Sequence, residues 1–361
     1  MLVLRRGLSH DSAMRVVWIL VLVLAACQTK SDPSSSTPAA GKPHILAGTI
    51  QGEDDACDPK QPKVCMGQDV VECRDDGHLG RRLRACHHGC TDGKCEQTCE
   101  DDNTKLIYLV STNNDFLSFD PRKLPNDPFH FIGKLHCRAG GSPFSMSVDR
   151  NGVAWVLYGD GQIFRVNITD AKCEATTFRA GSAGSLTFGM GFATDKAGGD
   201  SEKLYVADND FSNQLSRIDT KDLVPHAIGT LSAVASPNPE LTGTSEARLF
   251  GFYPADEEPS FVQEIDRTNA KPIGKKYQLG STPLGTVSAY AFAQWGGVFY
   301  IFATIDNMDT FEENSTVRTI DRTTGKYRTI MTHVGYRISG AGVSTCAPER
   351  DASSPLQSPG P

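Results

Sequence analysis

The chain has 361 residues, a formal net charge of −7 and a hydrophobic content of 39%. This length allows two domains, or one large domain with appendages, and the apolar fraction is enough for a sizeable core. The acidic balance argues against nucleic acid and anionic lipid surfaces as partners.

Residues 1–26 have the pattern of a lipoprotein signal peptide. Three arginines precede an apolar run at 16–26, which is shorter than the roughly 20 residues that a membrane-spanning helix needs. The run ends in the order of a bacterial lipobox, Leu24-Ala25-Ala26-Cys27, in which the Cys thiol receives a diacylglyceryl group before cleavage. We therefore expect lipidation at Cys27. An ordinary signal peptide with an incidental cysteine is the alternative, and Met14 is an alternative start.

The segment that follows, residues 27–56, is rich in Ser, Pro, Ala and Gly in its first half and is predicted to be a flexible tether. Residue 28 is Gln rather than Asp, which by similarity to enterobacterial sorting favours the outer membrane. We expect an exported protein of a Gram-negative bacterium, held by acyl chains in the outer membrane or at the cell surface.

A cysteine-dense module is predicted at residues 57–99. An export signal favours disulfides over a zinc site, although His87 and His88 lie beside Cys86 and Cys90; no C-x-x-C knuckle is present. A segment this short needs such bridges, because it has few large apolar residues to bury. The disulfide candidates here and further along the chain are Cys57, Cys65, Cys73, Cys86, Cys90, Cys95, Cys99, Cys137, Cys173 and Cys346.

A repeat dominates residues 100–348. Five segments share an apolar strand, a polar loop, and a second strand that ends at Asp120, Asn167, Asp219, Asp266 or Asp321. The intervals between these turn residues are 47, 52, 47 and 55 residues, close to the spacing of about 40–50 residues in propeller blades. The pattern predicts four antiparallel strands for each repeat.

Short stretches rich in Gly, Ala and Ser are predicted to be the innermost strands, because bulky side chains collide around a narrow axis. They occur at 145–149, 188–195, 241–247, 288–294 and, after the last repeat, 339–346. The last one can complete the first blade and remove its open edge. We predict an all-β fold, a five-bladed β-propeller closed by the C-terminal strand, followed by a disordered tail at 349–361. Six or seven blades, or a β-sandwich, are the alternatives.

The predicted positions of the strands favour two disulfide pairs. Cys99 precedes the first strand and Cys346 ends the last one, so a bond between them would lock the seam. Cys137 and Cys173 would clamp the outer strands of the first two blades. The remaining six cysteines would form three bridges within residues 57–95, whose connectivity the sequence leaves open.

Two resemblances follow from these motifs. The phrase SVDRNGVAWV at 147–156 resembles the blades of streptogramin lyase and NHL-type propellers. Residues 57–346 as a whole resemble a group of myxobacterial surface lipoproteins that join a C-x7-C-x7-C module to a propeller, with SPFSMSVDRNGVAWVL and GAGVSTCAP as shared phrases. The resemblance implies a fold and a location, and no activity.

One group of acidic residues is predicted to form a binding site. Loops between the second and third strands of the repeats carry carboxylates and no Lys or Arg, and equivalent loops project on one face. This predicted acidic face comprises Asp115, Asp160, Asp208, Asp210, Asp256, Glu257, Glu258, Asp306, Asp309, Glu312 and Glu313. The next turns, on the opposite face, carry Arg122, Lys123, Lys172, Lys221, Arg267, Lys271, Arg322 and Lys326. An acidic face would attract cations or a basic partner, whereas ordinary solvated loops are the alternative.

Catalytic motifs are missing from the sequence. The propeller holds only His130, His136, His226 and His333, which fit surface positions better than a catalytic base. The predicted inner strands contribute Asp149, Asp195 and Glu246 as their only obvious acids. We expect a binding or scaffold protein with a protein or glycan partner and no catalytic or metal residues. Calcium in the oxygen-rich stretches DNDFSN and DNMD, and a metal-dependent lyase or lactonase, are the alternatives.

Overall fold

The structure, a computed structural model, describes residues 56–67, 69–85, 90–95, 99, 102–208, 212–231, 239–255, 257–282, 284–306 and 314–350. In these ranges the regular elements are strands and two short 3₁₀ helices at Asp102–Lys105 and Pro121–Lys123. None of the helices in the described ranges is long and apolar enough to span a bilayer. Cys27 with its flanking signal and tether, Cys86, His87, His88 and the tail from 351 lie outside the described residues.

The cysteine-rich segment folds as a small antiparallel sheet followed by a short hairpin. Its strands are β1 (Lys63–Met66), β2 (Asp69–Cys73), β3 (Leu79–Ala85), β4 (Cys90–Thr91) and β5 (Lys94–Cys95). Disulfides join Cys57 to Cys73 and Cys65 to Cys90. These bonds stabilise a segment in which Val70 and Val71 are among the few fully buried apolar side chains.

Five four-stranded antiparallel sheets follow, and we number them in chain order. The first contains β6 (Ile107–Ser111), β7 (Asp115–Phe119) and β8 (Phe129–Lys134); the second, β9 (Pro143–Val148), β10 (Val153–Tyr158), β11 (Ile163–Asn167) and β12 (Cys173–Ala175); the third, β13 (Phe188–Thr194), β14 (Glu202–Asp208), β15 (Gln214–Ile218) and β16 (Pro225–Thr230). The fourth contains β17 (Glu240–Gly243), β18 (Leu249–Tyr253), β19 (Phe261–Ile265) and β20 (Pro272–Gln278), and the fifth, β21 (Val287–Trp295), β22 (Val298–Ile305), β23 (Thr316–Asp321) and β24 (Tyr327–Met331).

The C-terminal strand, β25 (Ile338–Val343), belongs to the first sheet, where it pairs antiparallel with β6. The innermost strands are therefore β25, β9, β13, β17 and β21, and each overlaps one of the small-residue stretches that the sequence indicates. Each of them contacts the next, and β21 contacts β25 in turn. The fold is all-β and propeller-like.

Neighbouring inner strands approach until their backbones touch. A Cβ added to Gly342 in β25 would lie 2.8 Å from the Cα of Ser147 in β9, and one added to Gly243 would collide with the carbonyl oxygen of Phe192. In the described ranges no strand ladder joins these sheets to each other, and side-chain hydroxyls help to bridge them. The Phe192 N–H donates to Ser147 Oγ at 3.0 Å, and the Gln294 N–H donates to Thr242 Oγ1 at 3.2 Å.

Away from these inner strands, larger side chains fill the wedges between neighbouring sheets. Each interface has its own buried cluster, represented by Phe116 and Val156 between the first and second sheets, Trp155 and Phe192 between the second and third, Tyr205 and Leu249 between the third and fourth, Phe250 and Phe299 between the fourth and fifth, and Trp295 and Phe119 between the fifth and first. Burial of this apolar surface is the main force that holds the sheets together.

The periodic Asp and Asn residues fold the turns after the third strand of each sheet. In all five, a side-chain oxygen accepts a hydrogen bond from the backbone N–H two residues later: Asp120 from Arg122, Asn167 from Thr169, Asp219 from Lys221, Asp266 from Thr268 and Asp321 from Thr323. This local bond is a common reason for Asp and Asn in turns, and it explains the spacing that reveals the repeat.

Two further disulfides lie in the sheet region, and both join the pairs that the sequence favours. Cys99 is bonded to Cys346, which links the chain just before β6 to the chain just after β25. Cys137 is bonded to Cys173, which links the chain after β8 to β12, the outermost strand of the second sheet. Both bonds therefore reinforce contacts between separate parts of the fold, and the presence of disulfides indicates an exported protein.

We predict that Gly243→Ala destabilises the protein by about 2–3 kcal/mol, because the new methyl group would force apart the backbones of β13 and β17. Gly159→Ala is the matched control: its Cβ would have ordinary contacts, 3.8 Å from the Ser142 carbonyl oxygen, so a change below about 1 kcal/mol is expected. Urea denaturation followed by circular dichroism measures both. Equal stability of the two variants would contradict the close packing of the inner strands.

Candidate functional site

The five loops between the second and third strands lie at the same end of their sheets. In every sheet the first residue of the inner strand pairs with the last part of the second strand: Ile338 with Ser111, Pro143 with Tyr158, Phe188 with Asp208, Glu240 with Phe252 and Val287 with Ile305. We call the described residues that follow, at 112–114, 159–162, 212–213, 254–255, 257–260, 306 and 314–315, together with the acids beside them, the loop face.

Part of the predicted acidic face is described. Asp115, Asp160, Asp208, Glu257, Glu258 and Asp306 are placed at this end of the sheets, whereas Asp210, Asp256, Asp309, Glu312 and Glu313 lie outside the described residues. The two oxygen-rich stretches considered for calcium also lie partly outside them. The loops have no Lys or Arg of their own, but the first sheet brings Lys134 to this end.

Three of these carboxylates support the loops themselves. Asp115 pairs with Lys134 at 2.8 Å and accepts a hydrogen bond from Ser111 Oγ at 2.7 Å. Asp160 accepts from the Gln162 N–H at 3.1 Å. Asp208 is buried and accepts from the Ser212 hydroxyl. Glu257, Glu258 and Asp306 are exposed, so they carry the charge that an approaching partner would meet.

Behind the loop face, polar residues of several inner strands meet. Glu240, at the start of β17, is 2% exposed and accepts a hydrogen bond from Ser145 Oγ in β9. These strands are not neighbours, since β13 lies between them. The bond is possible because Gly189 of β13 has no side chain: a Cβ there would lie 2.9 Å from Glu240 Oε2. We call Ser145, Gly189, Glu240 and Tyr290 the inner-strand cluster.

Burial controls the chemistry of this cluster. Desolvation raises the pKa of Glu240 well above its usual range, and it outweighs the hydrogen bonds from Ser145 and the Met190 backbone. Desolvation also raises the pKa of Tyr290, and the adjacent Glu240 adds to the effect. A protonated Glu240 can stay in this enclosed position without a counter-ion, so it joins inner strands rather than supplying charge to a ligand.

The sequence analysis missed Glu240, because it placed the inner strand at 241–247, one residue too late. It also assigned Asp149, Asp195 and Glu246 to inner strands, and none of the three lies in one. They lie in the turns after β9, β13 and β17, at the opposite end from the loop face. An acid at the first position of a small-residue strand was the available signal.

The end opposite the loop face is held by a second polar group, which we call the seam cluster: Asp149, Arg150, Glu202 and Thr345. Asp149 accepts hydrogen bonds from the Asn151 and Val153 N–H groups and, at 3.0 Å, from the Trp155 indole N–H. These contacts explain why Asp149 and Trp155 occur together in the SVDRNGVAWV phrase: the Asp closes the turn and orients the Trp.

Glu202 connects the second and third sheets to the C-terminal segment. Its carboxylate accepts from the Arg150 N–H at 2.7 Å and from Thr345 Oγ1 at 2.7 Å. Burial, with Asp149 adding like charge, raises the pKa of Glu202 to about 8. Arg150 Nη2 also lies 3.4 Å from Cys99 Sγ, so this cluster surrounds the disulfide that joins the two ends of the sheet region.

The predicted basic residues lie at this opposite end, but the separation of charge by face is only partial. Arg322 pairs with Glu349 at 2.9 Å, and its guanidinium lies over the rings of Phe250 and Phe299. Arg267 donates to the Thr194 carbonyl at 2.9 Å. Acids that close the turns, such as Asp266 and Asp321, share this end, so the basic residues largely brace sheets and turns.

The histidines do not form a site within the described residues. His130, His136, His226 and His333 are all exposed. Across the described ranges, no group of three or more His, Cys, Asp or Glu side chains could hold a metal ion.

No family model and no curated protein matches the chain. Among solved structures, a nidogen/laminin complex is 12% identical with a TM-score of 0.41, and the match covers 68% of this chain and 99% of that one. An exo-β-1,3-galactanase from Phanerochaete chrysosporium is 8% identical with a TM-score of 0.38, and the match covers 55% and 52% of the two chains. Similarities at this level assign no function, so the residues of the chain itself must support any proposal.

We predict that Glu202 makes stability fall as pH rises. An unfolded Glu releases its proton near pH 4.5, whereas folded Glu202 holds its proton up to about pH 8. The free energy of unfolding of the wild type therefore falls between pH 4.5 and pH 8 and falls no further above pH 8. The free energy of unfolding of Glu202→Gln, relative to that of the wild type, should therefore rise by about 3–5 kcal/mol from pH 5 to pH 8. Denaturant midpoints at half-unit pH steps measure the difference.

The exposed Glu257→Gln variant is the control for this series. A constant difference between Glu202→Gln and the wild type across the same pH range would show that Glu202 does not hold its proton in the folded state.

Proposed function

We propose that the protein is an exported, lipid-anchored binding protein that presents its loop face to a basic protein partner. The observation that carries this proposal is the register of the sheets, which gathers five loops at one end while Glu257, Glu258 and Asp306 stay exposed there. A concentrated negative surface speeds encounter with a positively charged partner and selects against acidic ones.

The architecture that supports this face is a closed five-bladed β-propeller. Five four-stranded sheets, the pairing of β25 with β6, and a hydrophobic cluster at the interface of the fifth and first sheets support this interpretation. Such a ring gives the loops a rigid base, and rigid scaffolds are where proteins commonly place their binding loops.

The membrane anchor in this proposal is acylated Cys27. The lipobox Leu24-Ala25-Ala26-Cys27 and the disulfides, which are expected of an exported chain, support this assignment. Residues 28–56 would act as the tether and the cysteine-rich module as a rigid stalk, in the outer membrane or at the cell surface. Two acyl chains hold a protein far more firmly than one.

We predict that Cys27→Ser moves the protein from the membrane fraction to the soluble fraction and abolishes labelling by an alkyne analogue of palmitate in growing cells. Cys137→Ser is the control, since it also replaces a cysteine, although a disulfide-bonded one, and leaves the lipobox intact; it should remain in the membrane and remain labelled. Unchanged fractionation of Cys27→Ser would overturn the anchor.

We predict that Glu257→Lys/Glu258→Lys abolishes partner capture. The wild type, immobilised and exposed to cell-envelope extract, should retain a defined set of basic proteins, and retention should fall as ionic strength rises. Asp170→Lys/Asp222→Lys is the matched control, because it changes the same charge on exposed turns at the opposite end. Repetition with added Ca²⁺ distinguishes direct from calcium-bridged binding. Capture that is the same for all three proteins would contradict a role for the loop face.

A further inference from the structure

The disulfide between Cys99 and Cys346 has a cation beside it. Arg150 Nη2 lies 3.4 Å from Cys99 Sγ, and Arg150 Nη1 donates to the Gly199 carbonyl at 3.0 Å, which fixes the guanidinium in this position. Its nearest described carboxylate is that of Asp200, at 3.5 Å, and the Asp200 side chain is 81% exposed. Solvent screens an ion pair of this kind, so Asp200 cancels little of the positive charge that Cys99 meets.

The buried carboxyl groups of the seam cluster also leave this charge largely in place. Burial raises the pKa of Glu202 to about 8, so most of this side chain is uncharged at neutral pH. Burial raises the pKa of Asp149 as well, and the Asp149 oxygens accept hydrogen bonds from the Trp155 indole and from the backbone of their own turn. Arg150 is therefore the charged group that the structure places against Cys99 Sγ.

A cation next to one sulfur makes the two sulfurs of a disulfide unequal in thiol–disulfide exchange. An attacking thiolate forms a bond to one sulfur, and the other sulfur leaves with the electron pair of the broken S–S bond. A nearby guanidinium stabilises a thiolate and lowers the pKa of its thiol, and a thiol of lower pKa leaves faster. Attack on Cys346 Sγ is therefore favoured, because the sulfur that then leaves is that of Cys99.

The contacts around this bond allow it to open without unfolding of the sheets. Strand β25 ends shortly before Cys346 and is held to β6 by its own ladder of hydrogen bonds. Beyond Cys346, the Pro348 carbonyl accepts from the Gly296 N–H at 2.7 Å, and Glu349 pairs with Arg322 at 2.9 Å. These contacts keep the C-terminal segment in position when the covalent bond is broken, so the two thiols stay close enough to be reoxidised.

The other disulfide of the sheet region provides a comparison within the same molecule. Cys137 and Cys173 are partly exposed, as are Cys99 and Cys346, so exposure alone does not distinguish the two bonds. The Ala171 carbonyl lies 4.0 Å from Cys173 Sγ. Among the described residues, no guanidinium or ammonium group lies within hydrogen-bond distance of either sulfur of this bond.

We propose that Cys99–Cys346 is a redox-active disulfide that a dithiol reduces in preference to Cys137–Cys173. The first thiolate of the dithiol attacks Cys346 Sγ and forms a mixed disulfide, while Cys99 leaves as a thiolate beside Arg150. The second thiol loses its proton to solvent and attacks the first, and Cys346 leaves as a thiolate that takes up a proton. The dithiol becomes a disulfide and the protein gains two thiols, which is a two-electron reduction.

Reduction removes the covalent link between the chain that enters the first sheet and the C-terminal segment that follows β25. The reductant that fits this chemistry is a protein with two neighbouring cysteines, since its second thiol resolves the mixed disulfide. The proposal does not involve the loop face and is independent of the function proposed for it.

The test treats the oxidised full chain with dithiothreitol at pH 7, quenches samples with N-ethylmaleimide and follows each cysteine by mass spectrometry. Cys99 and Cys346 should become labelled about tenfold faster than Cys137 and Cys173, while circular dichroism of the same samples stays constant. Arg150→Gln should slow the reduction of Cys99–Cys346 by about threefold or more, because the leaving thiolate loses its cation. It should leave Cys137–Cys173 unchanged.

Arg179→Gln is the matched control, because it makes the same change in net charge at an exposed arginine remote from the seam; its reduction rates should equal those of the wild type. Arg150→Lys retains the charge and should recover most of the wild-type rate. Glu100 and Asp101 follow Cys99 in the sequence and oppose the charge of Arg150. Both are present in every variant, so the comparison isolates the guanidinium.

A second measurement separates stabilisation of the thiolate from a purely structural role of Arg150. Cys346→Ser leaves Cys99 as a free thiol, and its rate of alkylation by iodoacetamide as a function of pH gives its pKa. This pKa should lie below the ordinary value of about 8.5, and Cys346→Ser/Arg150→Gln should raise it by about one pH unit. Melting temperatures establish that the variants fold.

Three results would each overturn the proposal. The first is reduction of Cys137–Cys173 as fast as that of Cys99–Cys346. The second is loss of the circular dichroism signal in step with the labelling of Cys99, which would show that the bond opens only on unfolding. The third is an Arg150→Gln substitution that leaves both the rate of reduction and the pKa of Cys99 unchanged.

Discussion

The fold depends on how closely its inner strands can approach one another. Strands within a sheet are joined by ladders of hydrogen bonds. Among the described residues no such ladder joins adjacent sheets, so close packing and isolated hydrogen bonds hold β9, β13, β17, β21 and β25 together. Glycine allows backbone to touch backbone. Hydroxyls of Ser147 and Thr242, and the Thr194 N–H that donates to the Thr244 carbonyl, supply hydrogen bonds between neighbouring sheets. Farther from this centre the gaps between neighbouring sheets are wider, and aromatic and branched side chains fill them.

Carboxyl groups serve two different purposes in this protein. In exposed turns they accept hydrogen bonds from nearby backbone, as Asp266 and Asp321 do. In enclosed positions, as at Glu240 and Glu202, burial raises the pKa and favours the protonated form, which can join strands without a cation. The acidic composition is therefore a poor guide to the charge of any one surface, and only exposed groups such as Glu257 and Glu258 contribute fully to a binding face.

The strand pattern of the sheets could be predicted because it follows from local rules. Small residues indicate the inner strands, Asp or Asn indicates each turn, and the positions of Cys99 and Cys346 at the two ends of the repeat region indicate their bond. The details of the sites depend on neighbours far apart in the chain. Lys134 reaches Asp115 across a sheet, and Glu240 reaches Ser145 past an intervening strand. Arg150 lies beside Cys99, although 51 residues separate them in the chain.

The Cys99–Cys346 bond also determines how the protein bears mechanical load. A pull on the N-terminal part of the chain arrives at Cys99, just before β6, where hydrogen bonds to β25 would otherwise have to resist peeling. The covalent bond passes that tension directly to the end of β25, so both strands are pulled together instead of apart. A protein tethered at its N-terminus to a moving surface would keep its sheets intact under forces that would open an unlinked seam.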